Sequence, residues 1–282
     1  MTTAPRVGFV GAGQMGGPMV ERLLAAGIDV HLFGRRPQVR ERFAGLGAVV
    51  EESVAALARS AGILIACPFS EDQLLEIAAG AGGLIVNAAP GTVIVQHATV
   101  SVGAIERLAA DAGARGVAVL DAPISGTDQS IRAGQLTVLV GGDPGPREQA
   151  EPALRAYCAT IAATGAVGSA TKVKLVNNLL FAAHAQTAGA AVRLGRDLGL
   201  EPGELLAALT ACSASSFALS MLRQVGDADR FAAAAAPCLR KDVAVVERVA
   251  GELGLNTGLL GDIVRSGPFA LTGPDPVLSE RY

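Results

Sequence analysis

The chain has 282 residues, 50% hydrophobic and 17% charged, with a formal net charge of −3. That length exceeds one ordinary core and suits two domains, and a mean hydropathy of +0.42 suits well-buried helices and a parallel sheet rather than disorder. The charge balance gives no sign of the basic surface that nucleic acid or an anionic membrane requires, and no apolar run reaches spanning length unbroken by Gly, Pro or charge.

In chain order, residues 6–10 read as a short apolar strand that follows a start without a charged and apolar leader. Residues 15–26 have helical spacing and stop at Gly27, a suitable cap. Residues 28–33 read as a second strand, and strand-like runs follow at ILIAC (63–67), LIVNA (84–88), TVIVQ (92–96), VAVLD (117–121) and LTVLVGG (136–142). Helical stretches between them predict a mostly parallel, doubly wound α/β sheet covered on both faces. This Rossmann-type domain is expected over 1–167. A second, all-helical domain is expected over 168–282, opened by a long helix starting at GSATKVKLVNNLLFAAHAQTAGAA. Further on, Pro202 marks a helix start, 232–236 is helix-compatible alanine, and an amphipathic helix ends near Gly254.

The turn after the first strand is GAGQMG, with Gly11, Gly13 and Gly16. A lone GxGxxG is weak, but this one lies between a strand and a helix. Gly11 allows the tight turn, Gly13 lets a pyrophosphate reach the backbone, and Gly16 lets the helix pack close. The helix N-terminus then offers N–H groups and a positive dipole. Gly11, Ala12, Gly13, Gln14 and Met15 are the expected cofactor contacts here. An NAD site places an acid at the end of the second strand. Here that end is Gly34, Arg35 and Arg36, which suits the 2′-phosphate of NADP(H) over NAD(H).

On the long helix, Lys174, Asn177 and Asn178 fall at i, i+3 and i+4 and share one face, while Lys172 points elsewhere into solvent. An ammonium beside a carbonyl polarises it and supplies a proton to the developing alkoxide. The competing reading of this segment is a helix start with a snorkelling lysine and local caps. His31, His97 and His184 are isolated and Cys67, Cys158, Cys212 and Cys238 lack CxxC spacing, so no metal site is read, and the cysteines are expected to be small buried hydrophobes.

GFVGAGQMGGPM (8–19), DAPISG (121–126), GSATKVKLVNN (168–178) and KD (241–242) occur in the order and spacing of the β-hydroxyacid dehydrogenases, which this chain resembles over nearly its whole length. The resemblance implies a Rossmann domain, a long linking helix, an all-α domain and a homodimer or homotetramer. It also implies hydride exchange between NAD(P) and a small hydroxyacid or aldehyde acid, while the bulk features above point to a cytoplasmic protein. It places the catalytic lysine on Lys174 and the orienting amide on Asn178, with Asn177 beside it. Substrate anchoring falls on Ser125 and Gly126, continuing into Thr127. Lys241 and Thr99 join the cofactor contacts, and Pro68 with them. The chain departs from the family at Thr127, Ser130 and Ile131, and at Gln96, His97 and Ala98 ahead of Thr99. Thr127 is β-branched and disfavours positive φ, so the turn is expected to take another path or to use the hydroxyl as a donor. Imine reductases share the fold but usually lack a lysine at the position of Lys174. A catalytically silent nucleotide sensor would need the glycine turn without the lysine.

Overall fold

The computed structural model describes residues 6–273. The first compact unit starts with β1 (Val7–Val10), α1 (Gly16–Ala25), β2 (Val30–Phe33), α2 (Pro37–Gly45), β3 (Val49–Val50), α3 (Val54–Ser60) and β4 (Ile63–Ala66). It continues through α4 (Glu71–Ala78), α5 (Leu84–Asn87), β5 (Val93–Gln96), α6 (Val102–Gly113), β6 (Ala118–Asp121) and β7 (Ile124–Ser125). Last come α7 (Asp128–Arg132), β8 (Leu136–Gly141), α8 (Pro144–Leu154) and β9 (Cys158–Gly165).

The strands form one sheet in the order β3-β2-β1-β4-β5-β6-β8-β7, with β9 on β8. The first six are parallel. β8 runs antiparallel to β6 and β7, and β9 lies parallel to β8. Alternate residues of one strand feed two cores, as a sheet covered on both faces requires. Ile63 and Ile65 of β4 pack with Phe9, Met19 and Leu23, while Leu64 and Ala66 pack with Leu57, Ile94 and Ile105. Serines start the flanking helices. Ser53, Ser70 and Ser101 each accept a backbone N–H from the first turn of the helix that follows.

The run LIVNA is not a strand. Leu84–Asn87 forms the short helix α5. β4 and β5 already pair directly, Ile63 against Val93, so no slot lies between them. Asn87 holds the helical turn by donating to the carbonyls of Ala81 and Gly83, 2.9 Å each. β9, which the sequence pattern did not mark, is a strand whose residues are mostly exposed or half-buried.

The long helix α9 runs Ser169–Asp197. The compact units divide inside it, between Lys174 and Leu175, where the sequence boundary at 167/168 stands just ahead of the helix. The second unit holds the rest of α9 with α10 (Pro202–Ala211), α11 (Phe217–Val225), α12 (Ala228–Glu252) and α13 (Gly258–Ser266). Its helices approach closely at glycine. A Cβ on Gly195 would lie 2.2 Å from Leu205 of α10. Buried Gln186 of α9 donates to the carbonyls of Val264 (2.8 Å) and Phe269 (2.7 Å) and accepts from the Phe269 amide (2.8 Å). No helix among the described residues is long and apolar enough to cross a membrane.

Candidate active site

The glycine turn lies at the carboxyl end of β1, beside the end of β4, where neighbouring crossovers go to opposite sides and open a crevice. Gly11 takes φ +96°, and a Cβ there would lie 2.4 Å from the carbonyl oxygen of Cys67. A Cβ on Gly16 would lie 2.1 Å from the Gly11 oxygen. Both glycines are therefore needed to close the turn against β4 and α1. Gly13 is different: it is exposed, and a Cβ there would meet nothing within 4 Å. That open backbone at the start of α1, flanked by half-buried Ala12 and Met15 and exposed Gln14, fits a pyrophosphate. Pro68 is buried just after β4, and Gly34 is buried just after β2. Arg35 and Arg36 are exposed, and Arg35 lies 3.6 Å from Glu76. Thr99, buried beyond β5, is 8% exposed.

Next to it, the Gln96-His97-Ala98 segment is buried. Gln96 ends β5 opposite Asp121, and its amide has no hydrogen-bond partner among the described residues. His97 donates from Nδ1 to the Ala122 carbonyl (2.5 Å) and accepts at Nε2 from the Tyr157 hydroxyl (2.8 Å). Burial holds this imidazole neutral, with its pKa lowered to about 4. His97 is thus part of a buried network rather than isolated. Its partner stands far along the chain, so no local pattern announces it.

The residues expected to anchor substrate lie on β7 and the turn after it. Gly126 takes the positive φ, +136°, and Thr127 stays extended at φ −117°. The Thr127 hydroxyl accepts from the Ser130 amide, and the Ser130 hydroxyl accepts from the Thr127 amide, 3.3 Å each. This capping box starts α7. Ile131 is fully buried beneath it. The departures at 127, 130 and 131 thus form one local device.

Asp121 ends β6 and is completely buried. Its Oδ2 accepts from the Thr171 amide in the first turn of α9, 2.9 Å. Burial pushes its pKa up, and amide hydrogen bonds from Thr171 and Gly168 oppose that shift.

Along α9, Lys172 is exposed and lies 3.7 Å from Glu106. Lys174 is half-buried one turn ahead of Asn177 and Asn178. Asn178 is 4% exposed, donates to Asp242 Oδ2 (2.8 Å) and accepts from Asn177 (3.2 Å). Lys241 lies 3.0 Å from the other Asp242 oxygen. Lys241-Asp242 is therefore tied to the asparagine pair. Sequence reasoning gave Asp242 no task of its own, and the structure shows it fixing the amide. Arg223 donates to Thr210, and Arg240 to the Ala270 carbonyl.

Cys158 is buried and Cys67 half-buried, but Cys212 and Cys238 are exposed, against the expectation for all four. Cys212 caps the exposed end of α10 and Cys238 stands on the exposed side of α12, so neither helix turns its cysteine into a core. No cluster of three or more His, Cys, Asp or Glu suited to a metal occurs among the described residues.

Two family profiles match. The NAD binding domain of 6-phosphogluconate dehydrogenase covers residues 6–165. The profile described as NAD-binding of NADP-dependent 3-hydroxyisobutyrate dehydrogenase covers 168–265. L-threonate dehydrogenase of Cupriavidus necator is 32% identical over 75% of this chain and 71% of its own. The mitochondrial 3-hydroxyisobutyrate dehydrogenase of Rattus norvegicus is 31% identical over 72% of this chain and 60% of its own. Among solved structures, Mycobacterium tuberculosis 3-hydroxyisobutyrate dehydrogenase with L-serine shares the fold, with a TM-score of 0.81 and 24% identity over 93% of this chain and 92% of that one. A chain matched through both halves in this way belongs to the β-hydroxyacid dehydrogenase family and is an NAD(P)-dependent oxidoreductase acting on CH–OH groups.

Proposed function

We propose that the enzyme exchanges a hydride between NADP(H) and a small hydroxyacid or aldehyde acid, with Lys174 as general acid and base. The observation that carries this is the clamped amide of Asn178, held by Asp242 and Asn177 on the helical face that also bears Lys174. An amide fixed in this way is preorganised to hold a substrate oxygen without adding charge. Bound NADP(H) would supply or accept the hydride. Lys174 handles the proton: its ammonium gives one to the alkoxide formed on reduction, and its amine takes one from the alcohol on oxidation. Ser125 and Gly126 anchor the substrate carboxylate, with Thr127 holding the turn. The glycine turn, Pro68 and Thr99 are the proposed cofactor contacts, and Lys241 is proposed as another.

NADP(H) is favoured because no acid follows β2, and because exposed Arg35 is paired only loosely with Glu76, a contact that a 2′-phosphate can displace. The relatives act, by their names, on 3-hydroxyisobutyrate, L-threonate and L-serine, which supports a small hydroxyacid. The buried Ile131 and the capping box after Gly126 differ from the family turn, and poor activity on 3-hydroxyisobutyrate follows from that altered turn. Exposed Val173, Val176, Leu180 and Leu194 lie along α9, with exposed Leu198 just past its end, which supports a homodimer or homotetramer, placed in the cytoplasm. Neither nucleic acid nor membrane is a partner in this reading.

A panel of aldehyde acids, hydroxyacids and cyclic imines, followed by NADPH absorbance, tests it. Turnover on an aldehyde acid is expected. Turnover confined to imines, or stoichiometric NADPH binding with no turnover, would overturn it.

A further inference from the structure

We propose that Asp121 is a positioning residue for Lys174, fixing the first turn of α9 to the strand that leads into Ser125. The proposal rests on the reading of Lys174 as the proton donor and acceptor. Thr171 is in the first turn of α9, where amides have no carbonyl partner inside the helix. Its N–H goes instead to Asp121 Oδ2 at 2.9 Å. The helix's own ladder takes over at the next residue, where the Lys172 amide reaches the Gly168 carbonyl at 3.0 Å. Ser169 caps nothing here, because its hydroxyl meets the Thr164 hydroxyl at 2.7 Å.

The carboxylate has a built seat. It is fully buried, and its neighbour across the sheet is Gly141. A Cβ on Gly141 would stand 2.2 Å from Asp121 Oδ1, so glycine is what leaves room for the acid. A negative group at a helix N-terminus is stabilised by the orphan amides and the dipole. Such a seat would serve a merely structural cap equally well. The functional reading comes from what lies on either side. Lys174 follows Thr171 by a single helical turn, and Ser125 lies just beyond Asp121 in the same strand-and-turn segment. One buried carboxylate, held by the Thr171 and Gly168 amides, therefore sets where the catalytic lysine starts relative to the substrate anchor. A misplacement of about 1 Å at a reacting group costs on the order of 10²-fold in rate.

The test is steady-state kinetics of Asp121→Ala and Asp121→Asn, each in the Lys174 and the Lys174→Ala background, with NADPH affinity measured alongside. Asp121→Ala is expected to lower kcat about 10- to 100-fold and leave NADPH affinity within about twofold of the parent. Asp121→Asn keeps an oxygen acceptor and is expected to recover most of the loss. In the Lys174→Ala background neither change should lower kcat further, because the positioned group is gone. Thr171→Pro removes the same amide, breaks no bond of the helical ladder, and gives the same reading should the alanine variant not fold. A folded variant lacking the contact with unchanged kcat overturns the proposal, as does a loss that adds fully to that of Lys174→Ala. Undiminished turnover in Lys174→Ala alone would instead bring down the reading of Lys174.

Discussion

At the scale of single residues, the role proposed for Lys174 sets it apart from exposed Lys172 on the same helix. Lys174→Ala should cut turnover about 10²- to 10⁴-fold, the usual cost of a lost general acid, while NADPH affinity holds. Lys172→Ala should stay near parental turnover, since that side chain is exposed and only 3.7 Å from Glu106 in a solvated pair. Equal damage from both would show the wrong lysine had been chosen. Arg35→Ala should weaken NADPH by about 1–3 kcal/mol and leave NADH unchanged, measurable by fluorescence titration with each cofactor. These residues were legible from sequence because helical and strand spacing alone sets them on a face or at a strand end. Asp242 was legible only as a neighbour of Lys241. Its bond to Asn178 joins residues far apart in the chain, and no spacing rule reaches that distance.

At the scale of elements, α7 is a short helix that depends on its cap. Thr127→Ala removes the hydroxyl that accepts from Ser130 and should cost about 1 kcal/mol of stability. The same change should raise KM for the acid substrate while leaving that for NADPH alone, because Gly126 and Ser125 lose a fixed flank. Thermal unfolding with substrate titration checks both. Five of the six parallel strands, α1, and the long α9 could be read from apolar runs, glycine punctuation and helical spacing; the two-residue β3 is too short to leave such a run. LIVNA could not, because a short apolar run serves strand or helix alike, and here the direct pairing of β4 with β5 decides. β9 escaped for the opposite reason: CATIAATG is largely exposed and lacks the alternation that marks a half-buried strand. The capping box was missed because the Thr127 hydroxyl was weighed as a donor and not as an acceptor for the Ser130 amide.

For the whole molecule, acid stability should depend on His97. In the unfolded chain this imidazole takes up a proton near pH 6.5, and in the fold only near 4. The unfolded state thus binds more protons throughout that window. The stability tied to a neutral His97 is full above pH 6.5 and falls as pH drops towards 4, by up to about 3 kcal/mol. Asp121 contributes with the opposite sign, since its raised pKa makes the fold hold that proton more tightly. His97→Gln should be less stable at neutral pH yet show a flatter decline between pH 6.5 and 4 in denaturant titrations. A slope as steep as the parent's would assign the effect to other groups.

The seating of Gly11 against the Cys67 carbonyl bears on how this chain is made. The nucleotide turn comes early, but the backbone it leans on belongs to the loop after β4, and on that side of β1 the parallel partner of Val7 is Ile63, with Val30 on the other side. During synthesis the turn must wait for that later stretch to leave the ribosome, because parallel neighbours bring closure entropy that no hairpin can offset early. A nascent chain halted before Ile63 carries every glycine of the motif and still has no wall for Gly11 to close against. Cofactor can stabilise only the chain that has grown past that point, so ligand-assisted folding starts late, once β4 has docked beside β1.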